Sequence, residues 1–133
     1  MRDAVMLLQP TAPLRSAEDI ENCAALLEKT GADSVVSVVD VGGHHPLRMK
    51  KMSGDRLVNY VEQKQESMGP RQELPPVYIR NGAIYLSKRE VLFKRPTMVG
   101  ADCRGYIMPA ERSVNIDTPF DLILANHLLS KRS

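Results

Sequence analysis

The stretch Ala4-Val5-Met6-Leu7-Leu8-Gln9-Pro10-Thr11-Ala12-Pro13-Leu14-Arg15-Ser16 decides how the rest of the chain reads. Its apolar half, Ala4 to Leu8, stops abruptly at Gln9-Pro10. A rigid Pro-Thr-Ala-Pro corner follows, and Ser16 opens a helix with an acid, Asp19, three residues on, the pattern of a capping box. This predicts a buried strand over Ala4–Gln9 that delivers polar groups to the C-terminal edge of a sheet, where open α/β sheets bind ligands. Ile20, Cys23, Ala24 and Leu27 then recur at helical spacing, and Gly31 suits the helix C-cap. Ser34–Val41 is β-branched and apolar, as in a strand covered on both faces. Strand, helix and strand over this length predict a parallel βαβ unit.

Beyond Gly42-Gly43 the character changes. Residues 44–76 are polar, with a short strand expected over Leu57–Gln63 and a loop over Lys64–Pro76 that holds Gly69-Pro70 and Pro75-Pro76. This segment reads as an inserted arm or lid within one 133-residue domain. Val77–Leu86 predicts a strand broken by Asn81-Gly82, and Ser87-Lys88-Arg89-Glu90 a second capping box. A short strand is expected over Ser113–Asp117. Thr118-Pro119-Phe120-Asp121 supplies an N-cap, a proline at the first helical position and an acid at the third. Phe120, Ile123, Leu124 and His127 or Leu128 then form the apolar stripe of a last helix.

Composition excludes several function classes. A net charge of +2 is too small to argue for nucleic acid, and four tyrosines, two phenylalanines and no tryptophan leave few stacking platforms. No apolar run approaches membrane-spanning length and no signal peptide opens the chain, so the expected location is cytoplasmic. Cys23 falls on the apolar helix face, as a reduced core thiol does, and makes no metal-type spacing with Cys103.

Several residues carry chemistry. Asn115 and Asp117 alternate to one face at the lip of a helix N-terminus, where oxygens can hold Mg²⁺ together with substrate phosphates; alternatively Asp117 caps the helix. Gln9 and Thr11 sit where strand meets turn; a carboxamide there suits a base edge or sugar hydroxyl, or satisfies the turn. Gly82 permits close approach of a ligand, or marks a bulge, and the shared parity of Asn81 and Tyr85 points both to one face. Arg48, Lys50, Lys51 and Arg71 face solvent or, on an arm, close over an anion. His44-His45 lacks a third metal ligand at suitable spacing, and no serine sits in a nucleophile elbow.

These pieces, in this order, resemble the acylneuraminate cytidylyltransferases. The resemblance rests on Leu8-Gln9-Pro10-Thr11-Ala12-Pro13-Leu14-Arg15, His45-Pro46-Leu47-Arg48, Arg71-Gln72-Glu73-Leu74-Pro75, Asn81-Gly82-Ala83-Ile84-Tyr85 and Ile116-Asp117-Thr118-Pro119-Phe120-Asp121. It implies an α/β fold: a Rossmann-like nucleotide-diphospho-sugar transferase sheet, here truncated, with residues 44–76 as an inserted dimerisation arm. It implies reaction of CTP with a sialic-type nonulosonic acid, Mg²⁺ offsetting charge on the phosphates. It implies that Gln9 and Thr11 contact the sugar nucleotide, that Asn81 and Tyr85 line the acyl-sugar pocket, and that Arg48 and Arg71 meet the anionic substrate. Asp117 would be a metal ligand, with Asn115 in a position where the family pattern has aspartate. The family's Gly/Arg/Lys-rich CTP loop has no counterpart before Met6, so little cytidylyl transfer is expected of this chain alone. Two other readings stay open: a non-catalytic dimer binding an acidic sugar or a protein, and a relic reading frame. Removal of neighbouring strands would expose an apolar sheet edge, which a homodimer is expected to cover.

Overall fold

The computed structural model describes residues 3–63, 74–94 and 97–132. Their contacts form two compact units, Met1–Val39 with Ile79–Ser133, and Asp40–Tyr78. The chain is α/β with a mixed sheet, and no helix is long and apolar enough to cross a membrane among the described residues.

In the larger unit four strands lie in the order β1 (Ala4–Leu7), β5 (Tyr78–Lys88), β2 (Ser34–Asp40), β6 (Cys103–Ile107). β1 is antiparallel to β5, with Met6 opposite Leu86, and β2 is parallel to β6. The strand–helix–strand path from β1 through α1 (Ala17–Thr30) to β2 therefore skips over β5 instead of joining neighbours.

α1 forms as its sequence dictates. Ser16 Oγ accepts the Asp19 N–H at 3.1 Å, Asp19 Oδ2 accepts the Ser16 N–H at 2.9 Å, and Gly31 at φ +68° closes the C-terminus onto the Leu27 carbonyl. Cys23 and Leu27 enter a core with Ala12, Val35, Ile84, Leu86 and Met108, and Met6 packs against it. Burial, with a smaller push from the nearby Asp19 charge, raises the Cys23 thiol to about 12, so it is an inert core group.

β1 corrects the expectation of a buried strand. It occupies the sheet edge, and alternation leaves Val5 and Leu7 46% and 44% exposed while Ala4 and Met6 face the core. The last helix, α3 (Pro119–Ser130), has the expected cap: Thr118 and Asp121 bond reciprocally, with Pro119 in the first turn. Its apolar stripe does not face inward. Phe120 and Ile123 are 72% and 67% exposed, and Ala125 is the buried residue. The helix is apolar almost all round, so periodicity could not say which side meets the core.

Two other expectations fail locally. Ser87 opens no capping box; β5 runs on through it, and the short α2 (Arg89–Lys94) begins two residues later. Ser113–Asp117 is not a strand. It is irregular and docks by one backbone bond, from Ile116 N–H to the Thr11 carbonyl at 2.7 Å.

In the smaller unit an antiparallel hairpin joins β3 (Lys50–Ser53) to β4 (Arg56–Asn59) across Gly54-Asp55. The expected strand over Leu57–Gln63 thus ends at Asn59. His45 is buried and engaged at both nitrogens: Nδ1 accepts the Leu47 N–H at 3.1 Å and Nε2 lies 2.8 Å from the Pro75 carbonyl.

Among the described residues of the larger unit, one charged side chain is buried. Asp19 is fully buried, and Arg112 meets it through two nitrogens, each at 3.0 Å. Burial alone would raise this carboxyl; hydrogen bonds from Arg112, Ser16 and Tyr106 outweigh that and hold it at about 2 against an ordinary 3.8. A carboxyl depressed in the folded state stabilises it above the unfolded value, and the gain disappears as pH falls through the folded value. Acid unfolding monitored by circular dichroism should therefore show stability falling below about pH 4, and Asp19→Asn should remove about 2 kcal/mol of the difference between pH 5 and pH 2.

Candidate functional site

The site begins at the corner after β1. Arg15 fixes it by folding back: Nη1 and Nη2 donate to the Gln9 carbonyl at 3.1 and 3.0 Å, and Nη1 also donates to the Ala12 carbonyl. With the Ala12 N–H also on the Gln9 carbonyl, the backbone of residues 9–15 becomes a closed loop. The sequence shows Arg15 as part of the motif but not its role, because its acceptors are backbone carbonyls.

Opposite lies Gly82 in β5, at φ +75°, a conformation that favours glycine. A Cβ there would stand 2.7 Å from Gln9 Oε1 and 3.1 Å from Asn115 Nδ2. Gln9 and Asn115, far apart in sequence, therefore close over one buried stretch of backbone that carries no side chain. Asn115 Oδ1 is buried without a hydrogen-bond partner. Thr11 joins the same place through its carbonyl, which receives the Ile116 N–H.

Asn81 is present but inward. Its Oδ1 accepts the Ser37 hydroxyl at 2.6 Å and the Ala83 N–H at 3.1 Å; its Nδ2 donates to Ser113 Oγ at 3.0 Å and lies 3.4 Å from Met108 Sδ. Ser113 Oγ passes the chain of bonds on to the Pro109 carbonyl at 2.7 Å. Tyr85 stands across from Leu7, on the face away from Met6 and Leu86.

Asp117 is exposed, and the cap of α3 does not use its carboxylate: Thr118 caps, and Asp121 Oδ2 accepts the Asp117 and Thr118 N–H groups, each at 3.0 Å. Those bonds, from Asp117 first, hold the Asp121 carboxyl below its ordinary value. Asp121 itself was read only as a helix-start acid; it sets the lip on which Asp117 sits. Among the described residues no three His, Cys, Asp or Glu side chains converge on a metal-sized point.

The two arginines expected to meet an anion are not part of this constellation. Arg48 lies in the smaller unit, in a single 3₁₀ turn over Pro46–Arg48, with a guanidinium nitrogen over Gly43. Arg71 lies outside the described residues.

No protein-family model matches the chain. Curated relatives do. The chain is 30% identical over 118 residues to an N-acylneuraminate cytidylyltransferase of Streptococcus agalactiae, covering 89% of this chain and 28% of that protein. It is 29% identical over 132 residues to the CMP-N,N'-diacetyllegionaminic acid synthase of Legionella pneumophila, covering 96% and 54% respectively. It is 22% identical over 131 residues to the post-translational flagellin modification protein B of Campylobacter coli, covering 98% and 54%. The chain thus spans about a quarter to a half of the length of these relatives. Over about nine-tenths of its own length or more, it is a homologue of the acylneuraminate cytidylyltransferases.

Proposed function

We propose that this chain forms the sugar-side part of a nonulosonic acid cytidylyltransferase site, on a Rossmann-like nucleotide-diphospho-sugar transferase sheet. The observation that carries this reading is the meeting of Gln9 and Asn115 over Gly82. Two carboxamides held over a glycine backbone offer donors and acceptors at fixed spacing, which suits the hydroxyls of a sugar. The relatives supply the class: their names give N-acylneuraminate cytidylyltransferase and CMP-legionaminic acid synthase.

In the reaction, the sugar's anomeric oxygen bonds to the α-phosphorus of CTP, the bond to pyrophosphate breaks and the hydroxyl proton is released. The residues of this chain bind and orient. Gln9 and the Thr11 corner hold the sugar nucleotide. Asn81 acts through Ser113, fixing the segment that carries Asn115. By the resemblance, Tyr85 is assigned to the acyl-sugar group and Arg48 and Arg71 to the anionic substrate. The donor set fits Mg²⁺: Asn115 Oδ1 is a buried oxygen with no hydrogen-bond donor, Asp117 a carboxylate the helix cap does not use. Such an ion takes one or two protein oxygens and completes its shell with water and phosphate. When bound it offsets charge developing on the phosphates.

Among the described residues, those gathered around Gly82 include no cradle of cationic donors for a triphosphate, the feature that usually supplies much of the rate. Cytidylyl transfer by the chain alone is therefore expected to be weak. A homodimer built on the 44–76 arm and the β1 edge completes the proposal, in the cytoplasm. The exposed row of Val5, Leu7 and Leu8 favours such cover. A binding role without transfer differs only in the chemistry step, and the same experiment separates the two.

Calorimetric titration should give heat with sialic acid or CMP-sialic acid, and little pyrophosphate with CTP and Mg²⁺. No binding of either sugar ligand overturns the reading, while rapid pyrophosphate release overturns the expectation of weak transfer. Gly82→Ala should abolish sugar binding, at a cost in stability of about 1–3 kcal/mol from the strained backbone. Light scattering after gel filtration should give the mass of two chains; a stable monomer at all concentrations would count against the dimer.

A further inference from the structure

Residues 113–117 carry Asn115 and Asp117, yet no ladder of backbone bonds holds them. What fixes this segment lies just before it. Arg112 ends a 3₁₀ turn over Ala110–Arg112, and its side chain reaches back 93 residues to Asp19. Nε donates to Asp19 Oδ2 and Nη2 to Oδ1, each at 3.0 Å, so the two planar groups meet fork to fork. The carboxylate is immobile. It is fully buried, it takes the Ser16 N–H as the box of α1, and it takes the Tyr106 hydroxyl at 2.8 Å from β6.

We propose that Arg112 is a positioning residue, whose paired contact with Asp19 sets Asn115 and Asp117 against the Gln9–Thr11 corner. Ser16 both follows that corner and caps the helix that holds Asp19, so the anchor and the corner share one rigid piece of chain. From the anchor the segment passes two weaker ties, Ser113 Oγ to Asn81 Nδ2 at 3.0 Å and Ile116 N–H to Thr11 at 2.7 Å. A lysine at 112 keeps the charge but not the planar fork, and one ammonium does not hold both carboxylate oxygens in a fixed plane. The ligand part of this inference rests on the function proposed above; the positioning part does not.

The test uses the whole chain with Arg112→Gln and Arg112→Lys, and Tyr106→Phe as a control that removes one Asp19 donor outside the segment. Amide exchange followed by NMR reads Ile116 against amides in β2 and β5. In Arg112→Gln, Ile116 should exchange about tenfold faster or more while β2 and β5 keep their protection. Arg112→Lys should recover part of that loss, and Tyr106→Phe should leave Ile116 within about twofold of the parent. CMP-N-acetylneuraminate, as the probe, should bind Arg112→Gln about tenfold more weakly or worse. Should Arg112→Gln fail to fold, Arg112→Lys decides: faster Ile116 exchange with intact β2 and β5 supports the role. Parent-like Ile116 exchange in the folded variant overturns it. A parent chain that does not bind the probe overturns the proposed ligand, and the exchange result still decides the positioning role.

Discussion

The carboxylate of Asp19 gathers three parts of the larger unit onto one buried group. Its partners come from the α1 cap, from β6 and from the turn before the candidate site. A buried charge is costly unless its hydrogen-bonding capacity is filled. Here four donors fill it: the Ser16 N–H, the Tyr106 hydroxyl and two guanidinium nitrogens. Stability is not the reason to favour such an arrangement, since well-packed apolar residues often do as well. What the ion pair adds is direction. Apolar packing would tolerate a shift of the turn by an ångström or a slip of one residue, whereas a fork meeting a fork has one good geometry.

The same logic separates what the sequence tells from what it hides. Both long helices were legible in detail, because a cap is a local device: Ser16 with Asp19 and Thr118 with Asp121 lie three residues apart. The corner at Gln9-Pro10 was legible because proline and the end of an apolar run mark it. The Asp19–Arg112 pair was not, since Asp19 already had a sufficient local role as the third residue of a capping box. Nor was the bonding of Asn81, whose side-chain partners Ser37, Met108 and Ser113 all lie far from it in sequence. The β3–β4 hairpin was missed although Gly54-Asp55 marks it, because the strands on either side are short and polar.

The apolar surfaces have a common physical origin. β1 and α3 both have sequences suited to cover on more than one side, and each has it on one. An edge strand offers free N–H and C=O groups as well as side chains, so its natural cover is another strand. A helix that is apolar all round asks for packing on further faces. The two surfaces therefore call for different kinds of neighbour, which one flat docking face does not provide.

At the site itself, the amide at 115 changes the electrostatics in a definite direction. A carboxylate in that place would be buried beside Asp117, and repulsion and desolvation would both raise its pKa until a cation or a donor arrived. The amide removes that repulsion but leaves an oxygen with no donor, which is costly in a buried site. The amide at 115 therefore leaves a buried acceptor that one hydrogen-bond donor would satisfy, where a carboxylate would bring a charge that one donor does not balance.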